Sequence, residues 1–320
     1  MAPPEPATIV ETSNLTRYYG KTVAIENLTL QIPEGAIYGF IGPNGAGKTT
    51  TMRILTTLLQ PSSGQAWVAG HSVNKDVNAV RRMVGFMPDF FGVYTTMKSW
   101  EYLDFFAASY GIADSRRPSL IDELLDLVGL LHKRDDYVMG LSRGMKQRLS
   151  LARTMCHNPA LLVLDEPASG LDPRARVELR ELLKELRSMG KTIMISSHIL
   201  TELAEVCSHI GIVENGQLVT SGDVRTIMRS LQAHRVFEVH LLSDVDAAAA
   251  LVRSMPGVLD VRTFADETPP MLAIDYEGDD VGVSVLLAQL IGGGAQVIHF
   301  AGQVSDLEEI FLKVTRQITA

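Results

Sequence analysis

Lys48 and Thr49 lie near the end of Gly42-Pro43-Asn44-Gly45-Ala46-Gly47-Lys48-Thr49-Thr50, which follows the pattern G-x-x-x-x-G-K-[ST]. The chemistry of that spacing is phosphate binding. A glycine-rich turn exposes backbone N–H groups to anionic oxygens, the lysine reaches the terminal phosphates, and the hydroxyl ligates Mg²⁺. Two adjacent carboxylates, Asp165 and Glu166, close a second apolar run, and His198 closes a third.

The elements around these residues must bring them together. Residues 36–41 are an apolar run with the look of a buried strand, and residues 50–59 continue at helical spacing. The glycine loop is therefore predicted between strand and helix, with bound anion at a helix N-terminus where free N–H groups and the macrodipole favour it. Residues 161–167, Leu-Leu-Val-Leu-Asp-Glu-Pro, have the composition of a central parallel strand covered on both faces. Side chains alternate along a strand, so Asp165 and Glu166 are predicted to face different parts of the crevice above the sheet, where open α/β sheets bind ligands. Residues 192–197 form a further buried strand that ends at His198, which is either a structural histidine or a crevice residue.

Other segments frame that centre. Residues 8–11 and 23–32 are strand-like around a turn at Gly20-Lys21, with alternation at Leu28, Leu30 and Ile32. Tyr19 lies in the connection, where an aromatic either stacks on a flat ligand or packs at the turn. Residues 65–70 and 84–89 are predicted strands, the second stopped by Pro88. Residues 98–131 are helical by periodicity, one face carrying Trp100, Leu103, Phe106, Ala107 and Tyr110, another Leu120, Leu124, Leu127 and Val128. They interrupt the strand–helix alternation as a helical insertion over about residues 98–157. Ser142 stands at the N-cap of a helix running to residue 155, and residues 174–189 form another helix closed by Gly190.

With 320 residues the chain can form two domains. A formal net charge of −8 argues against a nucleic-acid surface spread over the whole molecule. Cys156 and Cys207 have neither disulfide-framework nor zinc spacing, which fits a reducing compartment. Residues 1–11 lack the pattern of a secretory signal. The uncharged stretch 281–305 is broken by Gly292-Gly293-Gly294, Gln289, Gln296 and His299 into helix, turn and strand, so no membrane span is expected there. Beyond Gly222 the predicted order is β-α-β-β-α-β, a ferredoxin-like arrangement without a catalytic constellation. A linker is expected over residues 224–235, an accessory domain over 236–320, and a terminal amphipathic helix over 307–314.

Taken in order, the glycine loop, the loop after Phe86-Met87-Pro88, the helix opened by Leu141-Ser142-Arg143-Gly144-Met145, the Asp165-Glu166 strand, the run Ala168-Ser169-Gly170-Leu171-Asp172-Pro173 and His198 resemble the nucleotide-binding subunit of an ATP-binding cassette (ABC) transporter. The resemblance covers residues 8–223. It implies an α/β P-loop NTPase cassette over residues 1–223, with a mixed sheet core, an antiparallel β subdomain and a helical insertion, followed by the small α+β domain. It also implies roles. Tyr19 would stack on adenine, Gly42, Pro43, Asn44, Gly45, Ala46, Gly47, Lys48, Thr49 and Thr50 would hold the phosphates, and Thr49 and Asp165 would hold Mg²⁺. Glu166 would polarise the attacking water, His198 would contact the γ-phosphate, and Ser142 and Gly144 would complete the site of a second cassette in trans. Phosphoryl transfer needs positioning and charge neutralisation more than covalent chemistry, which suits this set.

Two positions depart from the family pattern. Arg143 and Met145 replace glycine and glutamine of the usual Leu-Ser-Gly-Gly-Gln signature, leaving Arg143 either near the phosphate or in solvent. Asp89 replaces the usual loop glutamine; an ionised carboxylate only accepts hydrogen bonds, but can ligate Mg²⁺ or its bound water. The resemblance implies a Mg²⁺-dependent ATPase that dimerises around two ATP, as a homodimer or with a second cassette. Such a subunit drives export through a separate transmembrane permease from the cytoplasmic face of the membrane. The alternative is a soluble ABC-type ATPase that regulates a non-transport process.

Overall fold

The computed structural model describes residues 7–89, 92, 94, 96–199, 203, 205–227, 234–242 and 244–303. The chain divides into two compact units, residues 1–223 and 224–320. In the first, β1 (Thr8–Tyr19), β2 (Thr22–Pro33), β4 (Ser63–Val68) and β5 (His71–Ser72) form an antiparallel sheet in the order β2-β1-β4-β5. A second sheet contains β3 (Ile37–Ile41), β6 (Val84–Met87), β7 (Leu161–Leu164), β8 (Thr192–Ser197), β9 (His209–Glu214) and β10 (Gln217–Asp223), ordered β10-β9-β3-β8-β7-β6. All its neighbours are parallel except β10 and β9, so the sheet is mixed.

Burial explains the strand compositions. Every residue of β3, β7 and β8 is buried, as a central strand covered on both faces requires. In β2, Leu28, Leu30 and Ile32 point inward while Thr29 and Gln31 are exposed, as expected of a half-covered strand. The two sheets share one core that joins Leu15, Ile25 and Val68 to Phe40, Met52, Val163 and Met194. Full burial of each large aliphatic side chain contributes about 1.5–3 kcal/mol relative to exposure.

Helix α1 (Lys48–Leu55) follows the glycine loop and is shorter than the sequence pattern, because Thr57 adopts a left-handed φ of 62°. Helix α2 (Val77–Met83) leads into β6, and α3 (Ser99–Ser109), α4 (Arg117–Leu127) and α5 (Arg143–Met155) form the helical insertion. Their buried faces differ from the expected stripes. In α3 they are Ser99, Tyr102, Leu103 and Ala107, while Tyr110 beyond its end is exposed. Trp100 and Phe106 keep one face outward, beneath the guanidinium groups of Arg134 and Arg153 at 5.4 and 5.1 Å, a favourable use of a half-exposed ring. In α4 the buried side chains are Ile121, Leu124 and Leu125, because the helix packs against both α3 and α5 and must cover two directions. Helix α6 (Pro173–Ser188) starts at Asp172, whose Oδ1 accepts from the Ala175 N–H at 2.8 Å, and ends before Gly190 at φ 85°.

The second unit contains β11 (His234–Leu241), α7 (Val245–Val252), β12 (Val258–Phe264), β13 (Met271–Glu277), α8 (Asp280–Gly292) and β14 (Val297–Gln303). Its antiparallel sheet has the order β12-β13-β11-β14, the spatial arrangement of a ferredoxin-like fold. Val239, Leu272 and Ile274 of the sheet pack with Ala248, Leu286 and Leu290 of the helices. The helix expected over residues 307–314 lies outside the described residues, as do residues 228–233 of the expected linker. Among the described residues no helix is long and apolar enough to cross a membrane.

Gly64 shows how tightly β1 and β4 approach. At φ +77° its added Cβ would lie 2.2 Å from the Asn14 carbonyl oxygen, whereas Gly20, at φ +59°, has open space around it. Gly20→Ala is expected to cost about 1 kcal/mol for the left-handed backbone alone, and Gly64→Ala about 3 kcal/mol or more because rigid backbone must also move. Both tryptophans, Trp67 and Trp100, lie in the first unit, so urea unfolding followed by their fluorescence measures this difference there.

Candidate functional site

Four parallel strands deliver the site residues beyond their carboxyl ends: β3 leads into Gly42, β6 into Asp89, β7 into Asp165 and Glu166, and β8 into His198. The adjacency of β3, β8, β7 and β6 is what turns four distant sequence positions into one crevice.

The glycine loop is shaped by its neighbours. A Cβ on Gly42 would sit 2.2 Å from the Val213 carbonyl oxygen, and one on Gly47, at φ +98°, 2.5 Å from that of Ala24. Only glycine fits these two close approaches. Lys48 is buried, and its ammonium donates to the carbonyls of Gly42 at 2.6 Å and Pro43 at 3.3 Å, so the lysine head is held inside the loop it serves.

The ammonium also lies 3.4 Å from Glu166 Oε1. The other oxygen, Oε2, is 3.0 Å from His198 Nδ1. An ionised carboxylate only accepts, so with Glu166 ionised the Nδ1 of His198 carries the proton and donates it. Glu166 thus stands between two donors drawn from α1 and the end of β8. Its Oε1 is buried and makes no hydrogen bond of acceptable geometry, although the lysine charge is beside it.

Glu166 reaches this position through a left-handed backbone at φ 47°, a conformation uncommon for a side chain with a Cβ. Strand β7 ends at Leu164, so simple alternation does not carry through to residue 166. Asp165 is 1% exposed; its N–H donates to Met87 O at 2.8 Å, and its Oδ1 accepts from the Ser196 hydroxyl at 2.7 Å. Ser196 Oγ in turn accepts from the Glu166 N–H at 2.8 Å.

Asp89 is exposed beyond β6. Partial desolvation, then the negative charges of Asp165 and Glu166, raise its carboxyl above the ordinary aspartate value, against the opposing pull of Arg143.

Other residues singled out by the sequence lie on separate elements. Tyr19 ends β1, 44% exposed, with the Arg17 guanidinium 5.0 Å from its ring centre. Ser142 caps α5, accepting from the Met145 N–H at 3.3 Å. Gly144 faces α6, where a Cβ would approach Ala175 Cβ to 3.2 Å. Arg143 donates to the Ser169 carbonyl at 2.9 Å and its guanidinium covers Gly170, so within one chain it holds the loop that precedes α6.

Sequence reasoning missed Ser196 and Gln147. Gln147, buried in α5, donates from Nε2 to the Pro167 carbonyl and ties the helical insertion to the loop after Glu166. A buried amide or hydroxyl carries no periodic signal, and its partner is visible only in three dimensions.

Fold and site together define a P-loop nucleotide-binding ATPase. Residues 25–169 match the family model described as ABC transporter. The chain is 34% identical over 309 residues to the bacitracin transport ATP-binding protein BcrA of Bacillus licheniformis, covering 96% of this chain and 97% of that one. It is 32% identical to the daunorubicin/doxorubicin resistance ATP-binding protein DrrA of Streptomyces peucetius, over 97% and 93% of the two chains. Among solved structures, an ATP-binding subunit of an ABC transporter matches with TM-score 0.63 and 28% identity, over 70% of this chain and 93% of that one. A cassette dimer in a post-hydrolysis state bound to ADP and Pi matches with TM-score 0.61 and 25% identity, over 68% and 99%. The chain belongs to the ABC transporter ATP-binding family, whose cassettes are ATPases that drive transport.

The raised Asp89 carboxyl has a consequence for stability. Because the folded state holds this proton more tightly than the unfolded chain, stability falls as pH rises from the ordinary aspartate value of 3.8 through the raised folded value. Asp89→Asn is expected to be more stable than the parent at pH 7, with the difference shrinking as pH falls and vanishing only well below 3.8, where both states carry a neutral aspartic acid. Tryptophan-monitored urea unfolding across that range checks both the sign and the window.

Proposed function

We propose that the chain is the energy-coupling subunit of a bacterial export-type transporter, binding ATP in the Gly42–Thr50 loop and hydrolysing it with Glu166 as the carboxylate that activates water. The observation that carries this reading is the Glu166 carboxylate, set between Lys48 and the protonated Nδ1 of His198 with its buried Oε1 lacking a hydrogen-bond partner. Lys48 is placed to exchange its loop carbonyls for phosphate oxygens, and that exchange would release Glu166 Oε1 to accept a proton from water. General-base action of this kind contributes about 10²–10⁴-fold. His198 holds Glu166 from the other side through its Nδ1–H.

The donor set suits a hard divalent cation. Asp165 presents a buried carboxylate, fixed on one oxygen by Ser196, beside a crevice in which desolvation and then like charge raise Asp89. Thr49, Asp165 and Asp89 are the residues proposed to hold Mg²⁺ or its bound water, in the oxygen-only environment that ion prefers. When bound with ATP, Mg²⁺ would neutralise phosphate charge.

Tyr19 is proposed to stack on adenine, its exposed ring at the edge of β1 being accessible for that purpose. A second cassette would bring Ser142 and Gly144 to complete the site across an isologous interface, so one chain suffices for two sites. The relatives named for bacitracin transport and for daunorubicin/doxorubicin resistance support export, with a membrane permease as partner and the cytoplasmic face of the membrane as the working location. The domain over residues 236–320 is proposed as an accessory unit.

Glu166→Gln is expected to lower ATP turnover about 10²–10⁴-fold while retaining ATP binding; equal turnover in variant and parent overturns the hydrolytic assignment. Asp89→Ala is expected to reduce activity most at limiting Mg²⁺ and to recover as Mg²⁺ is raised. Identical Mg²⁺ titrations for variant and parent would remove Asp89 from the cation site.

A further inference from the structure

Ser196 lies within β8, 1% exposed, and His198 follows immediately after the end of the strand. Each reaches a different part of Glu166. His198 meets the carboxylate, and Ser196 meets the backbone N–H. A serine hydroxyl has one hydrogen and two lone pairs. Here the hydrogen goes to Asp165 Oδ1 at 2.7 Å, and a lone pair receives the Glu166 N–H at 2.8 Å. Both functions of the hydroxyl are therefore used, one on each member of the carboxylate pair.

We propose that Ser196 is the positioning residue of this site. It fixes the peptide plane that precedes Glu166, and through it the left-handed φ of 47° that turns the carboxylate back toward Lys48 and His198. It also holds Asp165 on one oxygen, leaving the other for the crevice. This assignment rests on Glu166 being the water-activating carboxylate. Alanine at position 196 would strand a buried N–H and a buried carboxylate oxygen. Cysteine would preserve the shape with a weak donor, and threonine would preserve the hydroxyl.

The test is single-turnover ATP hydrolysis by the full chain, with ATP affinity measured in parallel, for Ser196→Ala, Ser196→Cys, Ser196→Thr, Glu166→Gln and the Ser196→Ala/Glu166→Gln pair. Ser196→Ala and Ser196→Cys are expected to slow hydrolysis roughly 10- to 100-fold, the scale of an ångström-level misplacement, with ATP affinity changed less than about twofold. Ser196→Thr should recover most of the rate. In the Glu166→Gln background, Ser196→Ala should cost clearly less than in the parent, because its hold on the Glu166 carboxylate no longer matters and only its hold on Asp165 remains. A parental rate in Ser196→Ala, a loss confined to ATP affinity, or a full multiplicative loss in the double variant each overturns the proposal. A parental rate in Glu166→Gln would instead overturn the assignment of Glu166 itself.

Discussion

The left-handed backbone at Glu166 is the constraint on which the site depends. A regular continuation of β7 would send residue 166 away along the strand, whereas φ 47° folds its carboxylate back over the glycine loop. Such a conformation costs of order 1–3 kcal/mol and persists only where surrounding contacts determine it. Those contacts come from β8: the Ser196 hydroxyl on the amide and His198 on the carboxylate. The parallel pairing of β7 with β8 is thus a condition of the chemistry as well as of the core.

Charge balance around that carboxylate sets the character of the crevice. Glu166 meets the buried Lys48 ammonium, while the Asp89 carboxyl is raised first by partial desolvation and then by the charges of Asp165 and Glu166, against the pull of Arg143. An arrangement of this kind favours bound cations and disfavours an isolated anion. Lys48, occupied by its own loop carbonyls and by Glu166, has its charge satisfied within the chain.

The helical insertion is joined to this crevice by polar anchors. Gln147 of α5 grips the Pro167 carbonyl, Arg143 grips that of Ser169, and Gly144 lets α5 approach the start of α6 closely. Gln147 and Arg143 act on the stretch between Glu166 and α6, and Gly144 on α6 itself. Displacement of α5 would therefore be felt in the loop that follows the carboxylate pair, which gives the insertion a mechanical connection to the site. Of the residues that depart from the family signature, Arg143 is part of this connection: it replaces a residue without a side chain by one that clamps the Ser169 carbonyl.

Much of this was legible in the sequence because it is local. The glycine loop between strand and helix, the apolar runs of β3, β7 and β8, the Ser142 cap and the β-α-β-β-α-β order all follow from residue type and spacing over short stretches. The helical stripes were less legible: partly exposed aromatics in α3 and two neighbours around α4 shift which side chains are buried. The sequence by itself determined the glycine loop, the adjacent carboxylates and the strand-end histidine that make up the candidate site. Tertiary structure alone decided that Glu166 turns left-handed, that Ser196 supports it, and that Arg143 holds Ser169 instead of standing free. The reason is physical: a lone hydroxyl, guanidinium or backbone angle has no periodic pattern, and its partners lie 26 to 30 residues away, brought into reach only by the packing of strands and helices.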